Sequence, residues 1–477
     1  MDEFADDNKQ QTRVAAEPLN EVAESSDLPV RERGASHSAG AVGALLALAV
    51  PTFGQLVAEP AFVLIDTAIV GHLGQSALAG LALGSTVILT AVGLCIFLAY
   101  ATTSQVARHF GAGRVRDGLQ AGIDGLWLAL AIGAVLAMGL FALAEPLCWL
   151  LGGRGEDLAQ AVAYTRPVVL GAPGMLLVYA ANGLYRGLQK VTVTLVVAVA
   201  GAVLNTVLDV LFVIVLGWGV AGSGVATFAA QWFMGLVLAA GALHAARKEG
   251  VPWRPRLGGV VAAGRDGLPL FVRTFALRAG LVGTVMAAAA LGTSVLAGYQ
   301  VVNASWNFML NVLDSVAIAG QTLVGAELGA ARWDEAHRLT RATLRTGALV
   351  GVLAGVVFAA LGLVAPSLFS PDAAVQQMAA IGMVVTGVAL PLQSWMWAAD
   401  GILIGAGDFR YLARACTAVS AVYLALLVVL VFAVSPHIPD AAARCAALWL
   451  AFNIVLMGGR ALANGLRIRT DAWMRGR

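Results

Sequence analysis

Four polar residues within apolar stretches have the types and spacing of a small cation site. Asp66 lies in "LIDTAIVGHLG", Asn205 and Asp209 lie in "LNTVLD", and Thr227 follows further along the chain. Residues four positions apart share one face of a helix, so Asn205 and Asp209 can address the same ligand. Carboxylate, amide and hydroxyl oxygens suit Na⁺, by analogy with other hard cations. Two close carboxylates can equally share one proton, because like charges disfavour each other. The set could also be a fully hydrogen-bonded structural cluster.

The composition around these residues predicts an integral membrane protein. Of 477 residues, 59% are hydrophobic and 12% are charged, whereas a soluble domain carries about 25% charged residues. Residues 67–107, 210–243, 279–313, 346–371 and 373–399 contain no Asp, Glu, Lys or Arg. About 20 apolar residues in a helix cross a membrane, so several of these runs hold one span each. The net charge of +2 gives no reason to expect nucleic acid, and the four cysteines lack metal-site spacing, which favours packed thiols.

Hydropathy, with breaks at Gly, Pro and charged clusters, predicts an all-α membrane protein with twelve transmembrane helices. The predicted spans are 42–70, 76–107, 121–145, 161–184, 191–216, 220–245, 267–290, 294–327, 342–364, 375–404, 411–434 and 441–465. The two tails and alternate loops, among them "RGLQK" and the C-terminal segment, hold 25 of the 30 Lys and Arg residues. This asymmetry follows the positive-inside rule. It predicts a multi-pass protein of the cytoplasmic (inner) membrane with both termini in the cytoplasm.

The two halves of the chain repeat each other. At an offset of 218 residues, Pro51 aligns with Pro269, "LGQSALAG" with "LGTSVLAG", and "AANG" with "AADG". Because six is an even number of spans, the halves have the same orientation and form parallel six-helix repeats. Two such bundles enclose a cavity that rocking can open to either side, which favours a transporter over a duplicated bundle without a transport role. The predicted divisions are a disordered cytoplasmic tail (1–38), an N-lobe (39–248), a cytoplasmic linker (249–266), a C-lobe (267–467) and a cytoplasmic C-terminal tail (468–477).

Charged residues inside a membrane mark sites, because each costs about 2.5–3.5 kcal/mol at the bilayer centre. Counting turns back from the Gly-rich breaks places Asp66, Asp209 and Thr227 at a similar depth in the outer third of the N-lobe. The C-lobe does not repeat them, since Asp66 aligns with Thr284 and Asp209 with Leu427. The broken symmetry predicts that the N-lobe carries the ion chemistry.

The C-lobe has intramembrane charges of its own. Asp314 and Asp400 form a possible second polar site, in which Asp400 either binds a cation or gates, or only makes a packing hydrogen bond. Arg273 and Arg278 either pair with Asp314 or lie near the cytoplasmic side, and a structural role is favoured for both.

Several motifs together resemble the multidrug and toxic compound extrusion (MATE) family, most of all its DinF-like branch. They are "IDTAIVGHLG", "LNTVLD", the run from Pro173 to Gly187 with "NGLYRG", and "DGILIGAGDFRYLA". The resemblance covers essentially everything after residue 40 and implies the two-lobe MATE-like bundle. It also implies that the cation site of the family's first lobe consists here of Asp66, Asn205, Asp209 and Thr227, which would be metal ligands only if the coupling ion is Na⁺.

The same resemblance implies that Glu59, Phe62, Tyr179 and Asn182 line the substrate cavity of the N-lobe. Glu59 departs from the Gln found at this place in some relatives, which favours cationic substrates. "RGLQK" (186–190) departs from the family's common "RGxGD", whereas the C-lobe keeps "GAGD".

The expected function is secondary active multidrug efflux. An organic, often cationic and amphipathic compound leaves in exchange for H⁺ or Na⁺ by rocking alternating access. No cofactor is expected beyond the coupling ion, and the expected partners are the small-molecule substrate and the bilayer, with the protein a monomer. The alternative is a flippase for a lipid or lipid-linked substrate, which needs a large basic cavity. No HExxH, GxSxG or Walker motif occurs at membrane depth, so an enzyme is not expected.

Overall fold

The computed structural model describes residues 37–368 and 370–474, without the side chains at positions 37–39, 59 and 62. Contacts divide the chain into two units, Met1–Gly40 and Ala41–Arg477. Residues 1–36 of the predicted N-terminal tail lie outside the described residues, as do the side chains of Glu59 and Phe62.

Twelve helices, here numbered α1 to α12, make up the described structure. Their bounds are α1 His37–Gly71, α2 Gln75–Gly111, α3 Val115–Leu150, α4 Gly155–Val169 with Ala172–Gly187, α5 Val191–Val215, α6 Gly219–Lys248, α7 Leu257–Leu291, α8 Thr293–Gly329, α9 Trp333–Val364, α10 Ala373–Gly405, α11 Phe409–His437 and α12 Ala441–Ile468. A helix satisfies every backbone hydrogen bond within itself, which is what an apolar segment needs in lipid.

The count of twelve spans is confirmed in the described part of the chain. Eleven helices are long and apolar enough to cross a membrane, and the two segments of α4 together make the twelfth. Many helices exceed their predicted spans because hydropathy detects only the apolar middle of a longer helix. For the same reason α7 begins at Leu257, inside the stretch 249–266 that was predicted as a linker.

Five helices are interrupted, and hydropathy predicted none of the interruptions. In α2 a turn at Cys95 and Ile96 separates the helical segments Gln75–Leu94 and Phe97–Gly111. The two segments of α4 meet at an angle of 48°, with Gly171 at the break and Pro173 in the first turn of the second segment. In α5 the last turns widen to a π-helix over Val210–Val215. The π-helical turns Leu430–Val434 in α11 and Phe452–Met457 in α12 are comparable. Such turns relocate backbone groups and often accompany functional sites.

The predicted repeat is visible in the backbone. Gly74 (φ 122°) turns α1 into α2, and Gly292 (φ 135°), 218 residues later, turns α7 into α8. Gln189 (φ 60°) follows α4, and Gly407 (φ 77°) follows α10 at the same offset. Equivalent turns therefore join equivalent helices, as parallel repeats require.

The lobes touch where α2 crosses α8 with almost no side chain between the backbones. A Cβ atom built on Gly111 would lie 1.8 Å from the Ala326 carbonyl oxygen, and one built on Gly329 would lie 2.0 Å from that of Arg108. The two contacts are related by the 218-residue offset. Small residues permit this approach where no hydrophobic force drives association in lipid. The crossing lies at the helix ends that the Lys and Arg distribution assigns to the cytoplasm.

Candidate functional site

The four residues of the predicted cation site lie together in the N-lobe. The Asn205 side-chain amide donates to Asp66 Oδ1 at 2.5 Å and to Asp209 Oδ2 at 2.8 Å. The Thr227 hydroxyl donates to Asp66 Oδ2 at 3.4 Å. All four side chains are buried. The structure thus brings the predicted set together, and its binding of an ion stays a prediction.

Three helices supply this N-lobe cluster. Asn205 and Asp209 lie one helical turn apart on α5, as their spacing predicted, and the π-helical turn begins directly after Asp209. Asp66 comes from the last turns of α1 and Thr227 from α6. A shift of α1 relative to α5 would therefore change the contact between Asp66 and Asn205 directly.

The cluster has more acceptors than donors. Asp209 Oδ1 and Asn205 Oδ1 are buried and receive no hydrogen bond. None of the ion pairs among the described residues includes Asp66 or Asp209. Two buried carboxylates without a basic partner are costly. A bound cation or a proton would relieve that cost, so the fully satisfied structural cluster is the weaker interpretation.

A small cavity of about 30 Å³ adjoins the cluster, and sequence reasoning missed most of its polar lining. Asp66, Thr227, Ser85, Tyr164 and Gln231 line it. The Ser85 hydroxyl donates to the Tyr164 hydroxyl at 3.3 Å. Gln231 lies four residues after Thr227 on α6, so helical spacing could have found it. No spacing rule links Ser85 of α2 and Tyr164 of α4 to the cluster, because these helices meet only in the folded bundle.

A second hydroxyl near the cluster did carry a sequence signal. Ser223 lies four residues before Thr227, on the same face of α6, and its buried oxygen has no hydrogen-bond partner. The four-residue helical spacing that placed Asn205 beside Asp209 would also have identified Ser223.

The predicted substrate residues Tyr179 and Asn182 line an N-lobe cavity of about 70 Å³. Its wall also includes Gln55, one helical turn before Glu59 on α1, and Gln231. The Arg186 guanidinium donates to Gln55 Oε1 at 2.7 Å. That Tyr179 and Asn182 contact a substrate stays a prediction.

The position of Arg186 contradicts the prediction that it lies in a cytoplasmic loop. It was counted with the cytoplasmic loop bases, but it is 4% exposed and lies within α4. Its helix continues to Gly187, beyond the predicted end of span 4 at 184, and the bend in α4 brings this segment into the bundle.

In the C-lobe, Asp400 is the centre of a buried charge cluster. The guanidinium groups of Arg273 and Arg460 both donate to Asp400 Oδ2, and the Asn464 amide donates to Oδ1 at 2.6 Å. Of the two alternatives for Arg273, pairing with Asp314 or a place near the cytoplasmic side, the structure shows neither, because its ion pair is with Asp400 on α10. Arg460 had been counted with the C-terminal cytoplasmic charges, yet it is 2% exposed.

Asp314 and Asp400 share one cavity, as a second polar site in the C-lobe would require. The cavity holds about 180 Å³ and is lined by both carboxylates and by Arg273, Arg278 and Arg460. Asp314 Oδ2 accepts from the Tyr100 hydroxyl of the N-lobe at 3.4 Å. The side chains of both lobes therefore meet at this cavity.

Comparison with known proteins agrees with this architecture. The sequence model of the family MatE matches residues 51–211 and again 269–431, so its two matches begin 218 residues apart. The chain is 28% identical to DNA damage-inducible protein F of Escherichia coli over 422 residues, 87% of this chain and 89% of that protein. It is also 28% identical to Protein DETOXIFICATION 43 of Arabidopsis thaliana over 446 residues, 80% and 84% of the two chains.

A solved structure shares the fold. The Vibrio cholerae MATE transporter VcmN in its bent form superposes with a TM-score of 0.80 over 91% of this chain and 99% of that one, at 19% sequence identity.

Proposed function

The chain belongs to the MatE family of multi-pass membrane transporters, and on that premise we propose that it is a secondary active antiporter. It exports organic, often cationic and amphipathic, compounds in exchange for H⁺ or Na⁺. It works as a monomer in the inner membrane. Both termini lie in the cytoplasm, which is the orientation that the distribution of Lys and Arg favours.

One observation carries the proposal: two buried carboxylates, Asp66 and Asp209, share one amide and have no basic partner among the described residues. In the outward state, H⁺ or Na⁺ enters and neutralises them. The neutralised cluster changes how α1 packs on α5, and Pro51 and Pro60 within α1 are the places where that helix can bend. Only an ion that binds the two states with different affinity can drive the cycle.

The ion cluster and the substrate cavity are neighbours, which supports coupling between them. Met175 and Gln231 line both the cavity beside Asp66 and the cavity beside Tyr179. A rearrangement at the ion cluster therefore reaches the substrate wall through shared side chains. One net charge that crosses 100 mV supplies about 2.3 kcal/mol, which sustains roughly a 40-fold substrate gradient.

The flippase alternative gains no support from the cavities. It needs a large basic chamber, whereas the C-lobe cavity of about 180 Å³ contains two carboxylates as well as its arginines.

Export of a cationic dye tests the proposal. Proteoliposomes that hold the full chain and ethidium are given a pH gradient without Na⁺, then a Na⁺ gradient without a pH gradient. The variants are Asp66→Asn, Asp209→Asn and the control Thr284→Val, which alters the equivalent of Asp66 in the C-lobe.

We expect one of the two gradients to drive export in the unchanged chain and in Thr284→Val, and export to be lost in both Asp variants. The effective gradient identifies the coupling ion. Full gradient-driven export by both Asp variants would refute the proposed ion site. Export that ignores both gradients would refute antiport.

A further inference from the structure

We propose that the C-lobe cavity binds the carboxylate group of a compact organic anion, so that the compounds this transporter carries include carboxylates with an apolar body. The proposal rests on the transport function above and names a second substrate class for it. The cavity holds about 180 Å³, and the residues that recognise the anion are Arg273, Arg278 and Arg460.

The charges that line the cavity favour an anion. Three guanidinium groups, those of Arg273, Arg278 and Arg460, face two carboxylates, those of Asp314 and Asp400. Asp400 is held by two of the arginines. Because an arginine is never deprotonated in a protein, the three guanidinium groups carry one positive charge more than the two carboxylates balance. A bound anion would balance that charge.

Spare hydrogen-bond donors point to the same ligand. Arg273 Nε and Arg460 Nε are buried and have no hydrogen-bond partner, although the two side chains already contact Asp400. Arginine recognises carboxylates through two parallel N–H groups. The Arg460 guanidinium stacks 4.8 Å from the centre of the Trp397 ring, which fixes its plane before a ligand arrives.

The remaining wall suits an apolar body. Leu277, Leu281, Leu310 and Ile404 line the same cavity as the arginines. A pocket with apolar walls and a few polar groups that fix orientation is the usual form of a small-molecule site.

Equilibrium binding tests the site without any transport. Isothermal titration calorimetry of the full chain in lipid nanodiscs, at one fixed chloride concentration, uses three probes of one shape: 2-naphthoate, neutral 2-naphthamide and cationic 2-naphthylmethylammonium. The variants are Arg273→Gln, Arg273→Lys, Arg278→Gln and the control Arg341→Gln, which removes an exposed arginine from the outside of the same lobe.

We expect 2-naphthoate to bind and the other two probes to bind at least about 10-fold more weakly. Arg273→Gln should weaken 2-naphthoate at least about 30-fold, the lower end of what the loss of one buried charged partner costs. Arg273→Lys should recover part of that loss, and Arg341→Gln should bind like the unchanged chain. Arg273→Gln leaves Asp400 with Arg460 and Asn464, so the fold retains a balanced pair.

Arg278→Gln provides the same test if Arg273→Gln does not fold, because Arg278 is exposed and its loss leaves both arginines that hold Asp400 in place. The proposal fails if the unchanged chain does not bind 2-naphthoate, if 2-naphthamide binds equally well, or if both Gln variants bind like the unchanged chain. Anion binding in a protein that exports no dye would refute the antiport proposal alone, and dye export without anion binding would refute this one alone.

Discussion

The two lobes make the same cross-helix contact with different chemistry. At the positions equivalent to Asp66 and Asn205, the C-lobe has Thr284 and Tyr423, whose hydroxyls lie 2.8 Å apart. The N-lobe contact joins a carboxylate to an amide at 2.5 Å. The repeat therefore preserves a hydrogen bond that ties the first helix of each lobe to the fifth, and the N-lobe alone adds charge to it.

The C-lobe also fills the space that the N-lobe leaves open. Trp449 is equivalent to Gln231, which lines both N-lobe cavities, and it is buried in a stack with Tyr299 at 5.3 Å. Gly382, the equivalent of Tyr164, has Trp449 directly against it. An aromatic ring thus occupies the region of the C-lobe that corresponds to the cavity beside Asp66.

Deeper in the lobes the contrast is reversed. Gln55, Tyr179 and Asn182 line the N-lobe cavity, and the equivalent positions of the C-lobe cavity hold Arg273, Trp397 and Asp400. The N-lobe therefore has its two carboxylates, Asp66 and Asp209, at one level, whereas the C-lobe has Asp400 at the other. The two lobes thus have the same arrangement of helices, and their cavities differ because a few equivalent positions carry different side chains.

The largest effect is expected where the N-lobe is given the C-lobe residue. Asp209→Leu introduces the residue found at position 427 and leaves Asp66 without the second carboxylate that shares its ion. We expect gradient-driven export of ethidium to fall to the leak of empty liposomes, while the chain still folds, because the substitution replaces a buried charge by an apolar side chain. Export within twofold of the unchanged chain would show that Asp209 is dispensable.

Removing Asp400 should be the most destabilising single change in the C-lobe. Asp400→Asn leaves Arg273 and Arg460 buried without a charged partner, and breaking a buried ion pair costs about 3–5 kcal/mol. The four described cysteines are free and buried, so the labelling of their thiols by a maleimide dye on heating reports unfolding. Asp314→Asn removes a carboxylate that forms no ion pair among the described residues and keeps an oxygen that accepts from Tyr100. It should therefore lower the unfolding midpoint less than Asp400→Asn, and equal shifts would contradict this assignment.

Giving the C-lobe the residue of the N-lobe should lower the free energy of unfolding somewhat less than Asp400→Asn does. Leu427→Asp places a carboxylate at the C-lobe equivalent of Asp209, where Leu427 is 3% exposed and packs in an apolar cluster. We expect a loss of about 2.5–3.5 kcal/mol, the insertion cost of an unpaired acid in the membrane, measured by the same thiol labelling. Leu427→Met is the size-matched control. An unchanged midpoint for Leu427→Asp would mean that the C-lobe holds a site here after all.

The smallest effect concerns the turns that the repeat shares. Gln189 adopts φ 60°, while its equivalent is Gly407 at φ 77°. The left-handed backbone costs a non-glycine residue about 1–2 kcal/mol, whereas glycine loses about 0.5–1 kcal/mol more backbone entropy on folding. Gln189→Gly should therefore stabilise the protein by the difference, about 0.5–1 kcal/mol. Gly407→Ala should destabilise it in the same thermal assay. A lower midpoint for Gln189→Gly would show that the Gln189 side chain contributes more than its backbone costs.

The sequence predicted those parts of the molecule that local spacing determines. Charge-free runs of membrane length predicted the helices, and the 218-residue offset predicted their arrangement in two lobes. Asn205 and Asp209 could be placed together because one helix carries both. Asp66 and Thr227 could be added because their depth can be counted from turns.

The sequence did not reveal contacts that depend on how helices pack. Arg273, Asp400 and Arg460 come from three helices, and no spacing rule relates them. Arg186 and Arg460 were counted as cytoplasmic because a basic residue near a predicted span end is normally solvated. The bend within α4 and the packing of α12 on α10 carry them into the interior instead, where a carboxamide and a carboxylate receive them.

The π-helical turn at Val210–Val215 bears on the history of the chain. The C-lobe has its counterpart at Leu430–Val434, at the same end of the equivalent helix and without an acidic neighbour. Inheritance from the single ancestral half explains both turns, whereas the carboxylate beside the first belongs to one descendant only. The widened turn therefore does not depend on the carboxylate, and the backbone irregularity and the ion chemistry are separate features of the lobe.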